Sequence, residues 1–275
     1  MAACEPQSRF ATNGDVRLHY IVAGSGEALL FIHGIPDFCS GWRRHIDALS
    51  PRYRAAAMDM RGFNRSDKPV AARAYRMAAL MNDVTAVMRA LGNERVTLIG
   101  HDWGAIIGWW VATLYPHMVS RLAVLSSPHP LCYISARVRG ELRYSRDYLE
   151  QIITADRGAP IEASKLAAWV SDPAAKRELV EALGRSEPEG IRNYYRANLA
   201  EGAEPTRRLP QIKASTLIMF GAADHFIPQR YYEESVKYVS GQTKLVSIPN
   251  AGHFIHREAA EQVIAELIKW LDGAG

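Results

Sequence analysis

Cysteine is scarce in this 275-residue chain: Cys4, Cys39 and Cys132 are odd in number and widely spaced. That argues against a disulfide framework and matches no metal-binding spacing, so no metal is expected. No run approaches the ~18 uninterrupted apolar residues of a transmembrane helix, so no membrane span is expected. The start, Met1 to Gln7, lacks both the basic stretch and the apolar core of a signal peptide. The cytoplasm is therefore the expected compartment. A dominant charge is missing too, since 33 Lys and Arg stand against 29 Asp and Glu, interspersed, for a net +4. The densest basic run, Arg137, Arg139, Arg143 and Arg146, is diluted by Glu141 and Asp147. It reads as a solvated helix face, and no nucleic-acid partner is expected. Internal repeats and low-complexity segments are absent.

With 48% hydrophobic residues, the chain is long enough to bury a large core, as one domain with an insertion rather than two independent domains. Apolar strand-like runs alternate with amphipathic helical ones, which predicts an α/β fold with a mostly parallel sheet flanked by helices. The strand-like runs are Val16 to Val22, Ala28 to Ile32, Arg54 to Met58, Val96 to Ile99, Arg121 to Leu125, Thr216 to Phe220 and Leu245 to Ile248. Helical spacing marks Tyr75 to Leu91, which stops at Gly92, then Tyr231 to Val239 and a closing helix from Glu258 to Leu271. Between Leu131 and Leu209 the pattern is helical throughout, entered at Pro128 and Pro130 and left at Pro205 and Pro210. This insert reads as a cap, or lid, over the C-terminal edge of the sheet, where open α/β sheets bind ligands. The expected division is a core of residues 1–130 and 210–275 interrupted by a helical cap over 131–209.

Gly100-His101-Asp102-Trp103-Gly104 follows one apolar run and precedes another. This is the G-x-nucleophile-x-G turn between strand and helix, with aspartate where serine usually sits. A carboxylate is suited to displacing a leaving group from saturated carbon, giving an ester on the protein. In such folds an acid and a histidine follow the nucleophile in the chain. Asp224 stands just after the strand Thr216 to Phe220, and His253 in Asn250-Ala251-Gly252-His253 just after Leu245 to Ile248. Either residue alone would read as a cap or structural group; the ordered set of three reads as a catalytic triad. The backbone N–H groups of Trp103 and of Ile35, in His33-Gly34-Ile35-Pro36, are the candidate oxyanion hole. Pro36 stiffens that turn, and a cis bond is one way to build it. Phe38, Trp103, Phe226 and Phe254 flank these motifs as candidate apolar walls, with core packing an equal reading for the last two.

HGIP, GHDWGA, the Asp224 and NAGH contexts, and Asn193-Tyr194-Tyr195-Arg196 together resemble the α/β-hydrolase epoxide hydrolases, from about Arg9 to Leu271. The resemblance implies hydrolysis of an epoxide and water to a vicinal diol, without cofactor or metal, through an ester on Asp102. It also implies two cap tyrosines that hydrogen-bond the epoxide oxygen. The N-Y-Y-R pattern puts the second at Tyr195, leaving Tyr194 as a packing residue. The first matches Tyr148, with Tyr144 as the alternative. The pattern departs at Asn64, where relatives usually carry Gly; Asn tolerates positive φ, so the turn survives. It departs again at Ile152-Ile153, where the family commonly has Phe-Gln just downstream of this tyrosine. Haloalkane dehalogenases share the elbow and the ester, but Ile35 offers no side-chain donor for a halide; Trp169 in the cap could in principle substitute. Arginines that fluoroacetate-type dehalogenases place around the elbow are here Trp103 and Ile106. A non-catalytic small-molecule-binding protein on the same fold is the alternative of another class. Oligomeric state is not legible, and a homodimer stays open.

Overall fold

The computed structural model describes residues 5–142, 150–156, 158–199 and 209–273. An eight-stranded sheet, ordered β1-β2-β4-β3-β5-β6-β7-β8, forms its centre. The strands are β1 (Gln7–Asn13), β2 (Val16–Ala23), β3 (Ala28–Ile32), β4 (Arg54–Met58), β5 (Val96–His101), β6 (Val119–Leu125), β7 (Ser215–Gly221) and β8 (Thr243–Ile248). β1 pairs antiparallel with β2, and β2 with β4; every other pairing is parallel. β3 and β5 are buried at every position, as parallel strands covered on both faces must be. The sequence shows them as short continuous apolar runs for that reason.

Strand β1 carries no such signal. Its sequence, QSRFATN, buries only Ala11, because it lies at the sheet edge and is held by its backbone ladder to β2. The first half of the chain adds helices α1 (Arg43–Leu49), α2 (Met77–Ala90) and α3 (Trp103–Leu114), of which α2 and α3 pack against each other. α2 ends where expected, with Gly92 at φ +74 just beyond it.

Between β6 and β7 the described residues are helical or irregular and contain no strand. They include α4 (Pro130–Val138), a turn of helix at 150–154, α5 (Ala163–Leu166), α6 (Pro173–Gly184) and α7 (Pro188–Leu199). α6 starts as the sequence dictates: Pro173 sits in its first turn, and the Asp172 carboxylate accepts from the Ala175 N–H at 2.7 Å. After β7 come α8 (Arg230–Ser235), α9 (Ile255–Glu258) and α10 (Ala260–Gly273). The closing helix thus begins earlier than its periodicity suggests and is broken at Ala259. No described helix is long and apolar enough to cross a membrane. Tyr144, Tyr148, Arg143 and Arg146 lie outside the described residues.

Candidate active site

Asp102 leaves β5 with φ 50 and ψ −117, a strained conformation that lifts its side chain above the strand ends before α3 begins. The flanking glycines are needed for close approach. A Cβ on Gly100 would strike the carbonyl of Gly104, and one on Gly104 would strike the carbonyl of Ile32. The loop after β3 comes to the same place. Gly34 sits so close that a Cβ there would lie 2.7 Å from Asp102 Oδ1. His33 fixes this loop: its Nε2 accepts from the Met60 N–H at 3.0 Å, so Nδ1 carries the proton and donates to the Gly34 carbonyl at 2.8 Å. Burial lowers the His33 pKa, which keeps that ring neutral. Ile35–Pro36 is a cis bond.

Oδ1 of Asp102 accepts from the Ile35 N–H at 2.9 Å. Its Oδ2 lies 3.7 Å from His253 Nε2, an ion-pair separation rather than a hydrogen bond. His253 Nδ1 donates to Asp224 Oδ2 at 2.9 Å. Asp224 accepts further hydrogen bonds from the Phe226 N–H at 2.8 Å and the Tyr232 hydroxyl at 3.2 Å. Burial pushes the Asp224 pKa upward, but the hydrogen bond and charge of His253 outweigh it and hold it below its ordinary 3.8. For His253 burial likewise opposes the charged form. Asp102 and Asp224 prevail, raising its pKa from 6.5 to about 10, so the resting ring is an imidazolium.

Asp102, His253, Ile35, Tyr195, Phe226 and Phe254 line one cavity of about 750 Å³. Tyr133, Leu166 and Trp169 of the helical insert and Ile227 line it too. Trp169 stacks on Phe254 at 3.6 Å, with the rings 9° apart. Two proposed wall residues are placed elsewhere. Phe38 is buried and does not line this cavity, and the Trp103 ring packs edge-on against Tyr194 and Tyr195 instead. As the first residue of α3, Trp103 still presents a backbone N–H that the helix leaves without an internal partner. Tyr194 is fully buried, donates to the Arg61 carbonyl at 2.9 Å and packs on Phe63 and Tyr75.

Sequence reading missed the groups behind the triad. His101 Nε2 donates to the His253 carbonyl at 2.9 Å, and its ring lies 4.2 Å from that of His256. His256 donates to the buried Asp37 at 2.7 Å, and Arg257 makes two further bonds to the same carboxylate, at 2.6 and 3.0 Å. Glu258 accepts from the N–H groups of Gly252 and Phe254, on either side of His253. The only cue was position: Asp37 directly follows HGIP, and His256 lies one helical turn beyond His253.

A family model described as alpha/beta hydrolase fold matches residues 27–260. The chain belongs to the alpha/beta hydrolase family. It is 26% identical to epoxide hydrolase 2 of Caenorhabditis elegans over 284 residues, covering 93% of this chain and 77% of that protein. It is 27% identical to epoxide hydrolase A of Mycobacterium tuberculosis over 320 residues, covering 98% of both. Among solved structures, the Bacillus megaterium epoxide hydrolase in complex with an inhibitor superposes with a TM-score of 0.86 at 27% identity, covering 96% of this chain and all of that one.

Proposed function

We propose that this alpha/beta hydrolase is an epoxide hydrolase in which Asp102 is the nucleophile. The observation that carries the reading is the Asp102 carboxylate itself. One oxygen is held by the Ile35 N–H, and the other faces His253 in a cavity lined by Tyr195. The full-length likeness to epoxide hydrolases supports the substrate class. In this reading residues 131–209 form the cap and residues 1–130 and 210–275 the core.

Oδ2 of Asp102 attacks an epoxide carbon, and that carbon's bond to the ring oxygen breaks. Tyr195 donates to the departing oxygen, with Tyr148 as the second donor implied by resemblance. A phenol is neutral at physiological pH yet acidic enough to assist a forming alkoxide. The oxygen takes up a proton and becomes a hydroxyl, leaving a hydroxyalkyl ester on Asp102. Esterification cancels one of the two carboxylate charges that keep His253 protonated. Burial then favours the neutral ring, so His253 supplies the proton for the first step and becomes the base for the second. It takes a proton from water, and the hydroxide attacks Cγ of the ester. The N–H groups of Ile35 and Trp103 hold the oxyanion. Collapse releases the diol, which takes the second water proton, and restores the Asp102 carboxylate beside a protonated His253.

The test is the intact mass of purified His253→Gln after exposure to a panel of epoxides and haloalkanes. A gain equal to a whole epoxide is expected. A gain equal to an alkyl group without its halogen would make the protein a dehalogenase. No adduct, with no turnover by the wild-type protein on the same panel, would favour the binding-protein alternative.

A further inference from the structure

Asn64 stands at φ 42 in the loop Arg61–Ser66, a conformation that glycine would adopt at no steric cost. It is nonetheless an asparagine, it is buried, and all of its polar groups are engaged. Its N–H donates to Ser186 Oγ at 2.9 Å, and its Oδ1 accepts from Arg185 Nε at 2.9 Å. Its Nδ2 donates to Asp59 Oδ2 at 2.8 Å, and its carbonyl accepts from Lys68 Nζ at 2.8 Å. Two of these partners belong to the helical insert and two to the core. Glycine would keep the backbone bonds and lose both side-chain ones.

Those insert residues are the turn between α6 and α7. Immediately after them the Glu187 N–H donates to the Gly62 carbonyl at 2.9 Å, and Gly190 packs against Gly62 so closely that a Cβ on it would lie 3.3 Å from the Gly62 Cα. The Arg61–Asn64 loop is thus the seat on which the N-terminal end of α7 rests. At the other end, Asn198 Oδ1 accepts from the Met77 N–H at 2.8 Å and its Nδ2 donates to the Tyr75 carbonyl at 2.8 Å. The helix carrying Tyr195 is pinned to the core at both ends by an asparagine amide.

We infer that Asn64 and Asn198 are positioning residues: two clasps that hold α7 in the register that puts the Tyr195 hydroxyl at the epoxide oxygen. The inference rests on the proposed role of Tyr195. An amide suits the task because each clasp needs a donor and an acceptor on one short, uncharged side chain. Asn64 also meets the left-handed backbone. Ring opening tolerates little displacement of the donor, since about 1 Å of misplacement can cost on the order of 100-fold. Ester hydrolysis by His253 needs neither Tyr195 nor α7, so the clasps should act on the first step alone.

The experiment is single-turnover kinetics, separating alkylation from ester hydrolysis, for Asn64→Gly, Asn198→Ala, Tyr195→Phe and each asparagine variant combined with Tyr195→Phe. Circular dichroism and Tm check that each is folded. Either clasp variant is expected to slow alkylation about tenfold and to leave hydrolysis of the ester within about twofold of wild type. Neither should slow alkylation further once Tyr195 is Phe, because the positioned group is gone. Equal slowing of both steps, or the same slowing on the Tyr195→Phe background, would overturn the clasps while leaving the assignment of Tyr195 intact. If Tyr195→Phe alone does not slow alkylation, the assignment falls and the inference falls with it.

Discussion

Asp224 holds His253 at 2.9 Å and Asp37 holds His256 at 2.7 Å, both pairs out of bulk water, yet the two histidines titrate in opposite directions. His253 is raised to about 10, whereas burial lowers His256 below 6.5 despite its carboxylate. The rings are not remote: His101 lies between them, 5.2 Å from one and 4.2 Å from the other. What differs is the charge left over. His253 faces two carboxylates that, among the described residues, form ion pairs with no other cation, so its proton completes the charge balance. Asp37 is already neutralised by Arg257, so a proton on His256 would add a buried charge. A neighbouring carboxylate therefore makes a histidine basic only where its charge has not been claimed elsewhere. The front histidine thus keeps a proton that the rear one resists.

The strongest way to break this contrast is to take the second carboxylate from the front pair. Asp102→Asn should lower turnover on the order of 10⁴-fold or more, with the fold intact by circular dichroism. It should also move the His253 titration downward by NMR, making it resemble His256. A His253 that stays protonated to about pH 10 in this variant would show that Asp224 alone suffices. Next in size is Asp37→Asn, which strands the Arg257 guanidinium in a buried site. It should cost about 3–5 kcal/mol of stability by urea denaturation, with turnover per folded molecule changing far less.

The pH dependence sharpens the contrast further. Alkylation should vary little until pH approaches about 10, where His253 loses the proton that the first step needs. Hydrolysis of the ester should instead rise with pH through a lower value, because the ester no longer carries the Asp102 charge. Stopped-flow traces at several pH values separate the two limbs; a shared profile would contradict the proton assignment. Stability gives the smallest signal. His253 has a raised pKa, so its contribution is full below 6.5 and is lost as pH rises through about 10. His256 has a lowered pKa, so the unfolded chain gains a proton below 6.5 that the folded one resists, and stability falls on acidification. His256→Gln should flatten that acid-side slope, as read by Tm against pH.

The central strands were legible because parallel strands buried on both faces must be apolar throughout, as β3 and β5 are. Edge strand β1 was not, since its backbone pairing places almost no demand on its side chains. The convergence of Asp102, Asp224 and His253 was legible because each follows a strand, so local order along the chain carries tertiary meaning in this architecture. The wall residues were less so. Proximity to a motif put Phe38 and Trp103 on the candidate list, but adjacent residues in a strand or turn point in different directions. Phe38 faces the core and the Trp103 ring faces the α7 tyrosines, while Phe226 and Phe254 do reach the cavity. The Asn64 departure was visible as a tolerated left-handed residue; its contacts at Arg185 and Ser186 were not.

The sequence by itself determined the order of the strands inward of the β1 edge, the aspartate at the elbow and the residues able to serve it, because these follow from local periodicity and from backbone geometry that only certain residues permit. Tertiary structure alone decided which carboxylate charges remain uncompensated, which aromatic rings face the cavity and which asparagines bind the insert to the core. Those depend on contacts between residues far apart in the chain, such as Asp37 with Arg257 and Asn64 with Arg185. A one-dimensional pattern contains no measure of the distances and burial that set electrostatic energy.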